Sequence, residues 1–407
     1  MRAAIVVLSV GLVVGAVSGL GACSSSRDGF SEIPAGDQDA STGPIGPGLK
    51  GDASASVDIT LTGTVFAPNG TLPLSNALVY ITTEAPAPIP AGAYCDECVT
   101  LPEDTFAVSA ADGKFEIKSR MPTGKAFLVV QKGQFRRVRP VKIEKAGDIA
   151  IAKDDTTIPG RSDATKGDDV PKMAVLKDDS DFDKIDESLK KLGLTALDVR
   201  QDRSLLENEA ELMKYHVIFI PCGSSDDPAT TSTKARQNLQ KFVEAGGKLY
   251  VTDWSYEFVR QVFPGFLSWE GETAALGSAA SGDEWDAPAT AADQGLADWL
   301  AATGDTSFTV KGNWTTITGV NTRPGVDAKG ADVDITPKVW VTAKKGTSNV
   351  QRPTTVSFEN KCGRVLFSTY HTEAGFGGST SLLAQEKALL YVLLEVGVCI
   401  GDGPGVH

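Results

Sequence analysis

The chain has 407 residues, 41% of them hydrophobic, enough apolar material for two or three separate cores. Its 52 acidic residues outweigh 39 basic ones, and the net charge of −13 is the wrong sign for a nucleic-acid partner, because phosphate binding wants a basic face. Three histidines (His216, His371, His407) are too few for a His-rich metal centre.

Met1-Arg2 and the apolar run 3–17 have the charged start and hydrophobic segment of a secretory signal. Gly11, Gly15, Ser18 and Gly19 interrupt a run already shorter than the about 20 apolar residues that span a membrane. Leu20-Gly21-Ala22-Cys23 then resembles a bacterial lipobox, with a Ser-rich stretch behind it. That resemblance implies a signal peptide over residues 1–22, lipidation of Cys23 and a membrane anchor. Ser24, where Asp would retain the protein, resembles lipoproteins sent to an outer membrane. Residues 23–56 are rich in Gly, Pro, Ser, Ala and Asp without periodicity and read as a flexible tether. The expected address is the cell envelope, on its periplasmic or surface-facing side, where oxidising conditions let disulfides persist.

From residue 57 the pattern changes. Val57, Ile59 and Leu61 alternate with Asp58, Thr60 and Thr62, the signal of a half-buried strand. Further short runs at 77–81, 106–108, 115–117 and 127–130 are separated by Asn69-Gly70, Asp112-Gly113 and Thr123-Gly124. Short strands between such turns predict an antiparallel β-sandwich over residues 57–151. Gly63-Thr64-Val65, Asp112-Gly113-Lys114-Phe115 and Met121-Pro122-Thr123-Gly124 resemble the carboxypeptidase regulatory-like (transthyretin-like) domain, which implies a spacer or binding module. Cys95 and Cys98, alone as a CxxC, lack the other ligands of a zinc site and are expected to close a small disulfide loop. The basic run 136–139 reads as an edge or a solvated strand face, and lipid headgroups or a cell-wall polymer are its candidate contacts.

Residues 152–170 are polar and read as a linker. Beyond it, over residues 171–401, apolar runs at 173–176, 197–199, 216–221 and 249–251 alternate with helical patterns at 185–192, 205–213, 235–245 and 254–262. This alternation predicts an α/β doubly wound parallel sheet. Residues 271–319 show no regular pattern; strands are expected at 338–342 and 354–358, the latter in a hairpin with 364–367, and a last helix at 382–396. The aromatic residues Trp254, Tyr256, Phe263, Phe266 and Trp269 fall at helical spacing and read mostly as core.

The stretches 215–223, 246–254 and 363–373 resemble the flavodoxin-like class I glutamine amidotransferase fold, including its trehalose-utilisation-type branch. The resemblance implies a His-x-Glu at the end of the last strand, matched by His371-Thr372-Glu373. It also implies a Cys nucleophile at a sharp strand-to-helix turn. The corresponding turn, Thr252-Asp253-Trp254-Ser255, carries none. Cys222 ends a different strand, where the family has Gly. The expected function is therefore binding or scaffolding at the envelope, with an envelope protein or cell-wall polymer as partner and Asp253, Trp254, His371 and Glu373 around any ligand. The rival is a hydrolase with His371 and Glu373 as base pair and Ser255 or Cys222 as nucleophile. No cofactor is expected; the acidic loops, with Asp179, Asp181 and Asp226 as candidates, would take calcium or magnesium. Acidic residues also suit helix N-termini, which accounts for Asp181 and Asp183 without a metal. Finally, Cys362 before the last strand and Cys399 after the helix running back from it are expected to pair.

Overall fold

The computed structural model describes residues 55–96, 100–180, 182–224, 227–280, 283–373 and 381–394; Cys23, Cys98, Asp181, Asp226 and Cys399 lie outside the described residues. The first strands are β1 (Ser56–Thr64), β2 (Leu78–Thr82), β3 (Phe106–Val108), β4 (Lys114–Pro122), β5 (Gly124–Lys132), β6 (Phe135–Ile143) and β7 (Gly147–Ala150). Alternation explains them: along β4, Phe115, Ile117, Ser119 and Met121 are buried while Lys114, Glu116, Lys118 and Arg120 face solvent. The strand order β4-β1-β7 makes one sheet. The second is β3-β2-β5-β6, with a short fifth strand, β8 (Asp168–Asp169), on its β6 edge. Leu61, Ile117, Val79, Ile81, Leu128 and Val130 meet in one apolar core.

Two readings of this region are corrected. Residues 152–170 do not simply connect. They form α1 (Lys153–Thr156) and β8, and buried Thr156 donates its hydroxyl to the Thr64 carbonyl at 2.6 Å. The basic run of β6 is not a solvated face either. β8 pairs antiparallel with it, so Arg136 bonds Asp169 (2.8 Å) while Arg137 and Arg139 both reach Asp168 (2.9 Å each). Arginine forks matched to carboxylates across a ladder satisfy charges that would be costly to bury alone.

The second region runs β9 (Met173–Leu176), α2 (Ile185–Lys191), β10 (Leu197–Arg200), a 3₁₀ turn Ser204–Glu207, α3 (Glu209–Leu212), β11 (Val217–Ile220), α4 (Pro228–Thr231), α5 (Thr233–Glu244) and β12 (Lys248–Thr252). The helix expected at 205–213 is split because Asn208 caps a new one, its side chain accepting from the Glu211 amide. After the 3₁₀ turn Asp253–Tyr256 come α6 (Glu257–Arg260), β13 (Leu267–Trp269), β14 (Trp285–Ala291), α7 (Gln294–Ala302), β15 (Phe308–Asn313) and β16 (Ile317–Val320). Then follow β17 (Arg323–Val326), β18 (Asp332–Ile335), β19 (Lys338–Lys344), β20 (Gln351–Asn360), β21 (Gly363–Ser368) and α8 (Ala384–Leu394).

One nine-stranded sheet, β10-β9-β11-β12-β21-β20-β19-β14-β15, organises this half. Its first five strands are parallel. The hairpin of β20 with β21 is present and starts the antiparallel remainder. The stretch 271–319 is thus not irregular: it supplies β14, α7 and β15 to the sheet's far edge. The parallel strands β9, β11, β12 and β21 are buried on both faces, as covered parallel sheets require, while the edge strand β10 is half-buried. Val175, Phe219, Tyr250 and Leu366 share a core with Ile185 and Leu189 of α2, with α8 and with the sandwich. Leu176, Ile218, Val251 and Phe367 pack on Leu239, Phe242 and Val243 of α5.

The sandwich and the large sheet belong to one compact unit, and the loop before β3 clamps them. It runs along the amino ends of the parallel strands, where Ala93 donates to the Met213 carbonyl (3.0 Å) and Asp96 pairs with Lys248 (3.2 Å). Cys95 there is bonded to Cys362, just ahead of β21. Neither expected pairing, Cys95 with Cys98 or Cys362 with Cys399, is therefore formed. A residue at the amino end of the last strand faces whatever crosses that edge, and what crosses it is this loop. The bridge joins positions 267 residues apart.

His216 shows the same clamp. Its Nδ1 accepts from the Lys172 amide (2.8 Å), so Nε2 carries the proton donated to the Pro90 carbonyl (2.9 Å). Burial lowers its pKa, keeping the ring neutral.

Two outcomes follow. Non-reducing peptide mapping should join the Cys95 and Cys362 peptides, and Cys362→Ser should cost about 2–5 kcal/mol in urea unfolding; an intact Cys362 thiol would contradict this. A neutral buried histidine stabilises above its unfolded pKa of 6.5 and loses that contribution as pH falls below it. The urea midpoint should therefore drop between pH 7.5 and 5.5, and His216→Asn should flatten that dependence.

Candidate functional site

Parallel strands converge their carboxyl ends on one edge, so the residues just past β9, β11, β12 and β21 are neighbours. Past β12 the chain must turn sharply into the 3₁₀ turn. Asp253 makes the turn with a left-handed φ of +46°, a conformation that costs a non-glycine residue about 1–3 kcal/mol. Past β11 comes Cys222, and past β21 comes His371.

These three meet. His371 Nε2 lies 3.3 Å from Asp253 Oδ2, at ion-pair distance but out of line for a hydrogen bond. The Cys222 thiol points at the same oxygen from 3.8 Å. The sulfur, carboxylate oxygen and imidazole nitrogen all lie within 4.8 Å of one another. The other Asp253 oxygen is held by the Trp314 amide (3.0 Å) and the Thr315 hydroxyl (3.1 Å), both from the segment after β15. Asp253 is 0% exposed, Cys222 3% and His371 8%. The His371 ring rests on Gly312, where a Cβ would come within 3.2 Å of it.

Electrostatics follow burial. Desolvation raises the Asp253 carboxyl to about 6, against the charge of His371 and the donors at Trp314 and Thr315. Burial also disfavours charge on His371, but Asp253 and Asp183 more than offset it and raise its pKa. Burial, reinforced by the charge of Asp253, pushes the Cys222 thiol well up, so it is held as the thiol.

A second carboxylate, Asp183, underpins the strand ends. It accepts from the Thr252 hydroxyl (2.7 Å), the Thr372 amide (3.0 Å) and the Thr372 hydroxyl (3.2 Å). Thr252 in turn accepts from the Cys222 amide (2.7 Å), and Gln385 of α8 holds the His371 carbonyl (2.8 Å). Desolvation raises the Asp183 pKa.

The sequence-derived candidates divide accordingly. His371 and Asp253 are brought together, with Cys222. Glu373 is not the carboxylate facing His371 Nε2; it lies toward Lys191 Nζ at 3.8 Å. Ser255 is turned away as well, donating to the Pro221 carbonyl (2.7 Å) and accepting from Arg203 (3.1 Å). Half-buried Trp254 donates to the Trp314 carbonyl (3.4 Å) and packs edge-on against that ring. Tyr256, Phe263, Phe266 and Trp269 are core. The acidic loops do not converge on a hard cation among the described residues. Asp227 caps α4 and pairs with Arg203 (2.6 Å), Asp183 is bonded as above, and Asp179 is exposed. Trp314 and Thr315 were not legible as site residues, their only signal being position beside a strand end, and Asp183 was read as suiting a helix N-terminus rather than as a support for the strand ends.

Two open clefts, of about 480 and 660 Å³, are lined without Cys222, Asp253 or His371. The larger opens beside Asp178, Arg203 and Asp227; the smaller lies between sandwich and sheet near Lys132, Trp340 and Arg364.

No known protein family matches the chain by sequence, and no curated protein does. Among solved structures, a putative ThuA-like protein from Bacteroides uniformis is similar at 13% identity and a TM-score of 0.36, over 55% of this chain and 91% of that one. PurLQS from Thermotoga maritima is similar at 12% and 0.33, over 55% and 98%. A cold-adapted β-galactosidase from Rahnella sp. R3 is similar at 13% and 0.33, over 56% and 32%. At these scores the likenesses carry no argument about fold or activity.

Asp183→Ala removes three hydrogen bonds that hold the 371–373 segment to β12. Urea unfolding should show a loss of about 3 kcal/mol, whereas a change under 1 kcal/mol would mean the segment is held otherwise.

Proposed function

We propose that this chain is an outer-membrane lipoprotein, anchored through Cys23, whose folded unit binds or scaffolds in the cell envelope without turning over a substrate. The lipobox over residues 20–23 and the tether behind it support the address. The sandwich fits a transthyretin-like spacer. The order of the parallel strands, β10-β9-β11-β12-β21, is the 2-1-3-4-5 arrangement of flavodoxin-like sheets and supports an amidotransferase-like domain.

One observation carries the non-catalytic reading. The strand-to-helix turn that would present a nucleophile presents Asp253, fully buried, with one oxygen bonded to Trp314 and Thr315. A nucleophile must reach its substrate and have a base in hydrogen-bond reach. Here the turn is roofed by the chain itself, and the nearby thiol is kept protonated. The rival hydrolase reading draws on the company of Cys222, Asp253 and His371. An envelope protein or cell-wall polymer is the partner we propose.

The test uses the full chain in a Gram-negative host fed labelled palmitate. Wild type should be labelled and sediment with outer membranes, and Cys23→Ala should be unlabelled and released. The purified chain and its His371→Ala variant should be equally inactive on ester, amide and glycoside substrates. An unlabelled wild type would overturn the anchor; hydrolysis abolished by His371→Ala would establish the enzyme.

A further inference from the structure

We infer that Cys222, Asp253 and His371 form a binding site for a single borderline-soft divalent metal ion of the zinc or cobalt class. The cluster is a mixed sulfur, oxygen and nitrogen set from three different strand ends, and that donor chemistry selects such ions over calcium or magnesium.

The spacing agrees. With metal–nitrogen and metal–oxygen bonds of about 2.0–2.1 Å and a metal–sulfur bond of about 2.3 Å, a tetrahedral ion sets its N···O donors about 3.4 Å apart and its S···O donors about 3.6 Å apart. The observed separations are 3.3 Å for His371 Nε2 to Asp253 Oδ2 and 3.8 Å for Cys222 Sγ to the same oxygen.

An independent observation points to a missing partner. His371 Nε2 is buried and makes no hydrogen bond, although it faces a carboxylate oxygen. A buried polar atom left so is destabilising unless something else bonds it. A metal ion that accepts the Nε2 lone pair satisfies that atom. It also gives the long thiol contact a proper bond and uses the Asp253 oxygen that Trp314 and Thr315 leave open. Those two donors are then the outer shell that orients the ligating carboxylate.

Charge closes as well. On binding, the Cys222 thiol loses its proton to solvent, and thiolate plus carboxylate neutralise a divalent cation in a site where net charge is costly.

The inference does not depend on the membrane anchor or on inactivity, because the test reads metal alone. Full-length protein, purified in detergent and stripped with chelator, is titrated with Co²⁺ and followed by absorption and elemental analysis. One ion per chain is expected, with a thiolate-to-cobalt charge-transfer band that Cys222→Ser abolishes. His371→Gln and Asp253→Asn should each weaken binding more than tenfold. Thr315→Val, which leaves all three ligands in place, should weaken it by about tenfold. Zn²⁺ should displace the cobalt and bleach the band. No stoichiometric uptake, uptake without the band, or a band that survives Cys222→Ser would overturn the site. So would uptake lost on Asp179→Asn but kept in Thr315→Val, which would move the ion to the acidic cleft.

Discussion

Asp253 has to leave a buried strand, reverse direction and enter a 3₁₀ turn within one residue, and it does so in a left-handed conformation. That conformation is unfavourable for a side chain with a Cβ and persists only where the surroundings over-determine it. Here they do. Trp314 and Thr315 hold one oxygen, while His371 and Cys222 crowd the other. The long segment between β12 and β21 is thereby fastened over the strand ends, and the edge where doubly wound sheets usually receive ligands is closed at its centre. A cleft on this edge lies to one side, beside Asp178, Arg203 and Asp227.

The opposite edge is closed by a different device. The loop from the sandwich crosses the amino ends of β11, β12 and β21 and is bound there by the Cys95–Cys362 bridge, the Asp96–Lys248 pair and the neutral His216. Together with the shared apolar core, this joins the two predicted domains into one unit. A loop ordered by another sheet's strand ends is a long-range feature, and no local pattern announces it.

That is where the sequence stops being readable. Period-two alternation in 57–61 and the short runs at 115–117, 173–176 and 249–251 report local burial, so they locate strands well. The hairpin of 354–358 with 364–367 was also visible, because its turn is short. The disulfide was not, since Cys362 has several cysteines in reach of a plausible argument and only tertiary placement chooses among them. The basic run 136–139 looked solvated because its carboxylate partners sit some thirty residues on, in a stretch whose composition resembles a linker. At the candidate site, His371 and Asp253 stood out as strand-end residues. Glu373 was paired with His371 by spacing alone, whereas the carboxylate that faces the ring comes from another strand.

The central claim is that the turn at Asp253 and the thiol beside it are sealed from solvent in the native protein. Alkylation of Cys222 by iodoacetamide, followed by mass spectrometry in native buffer and across a urea series, tests it most directly. The account predicts negligible native modification, with labelling that rises only along the global unfolding transition. Rapid labelling of Cys222 in the folded protein would contradict it.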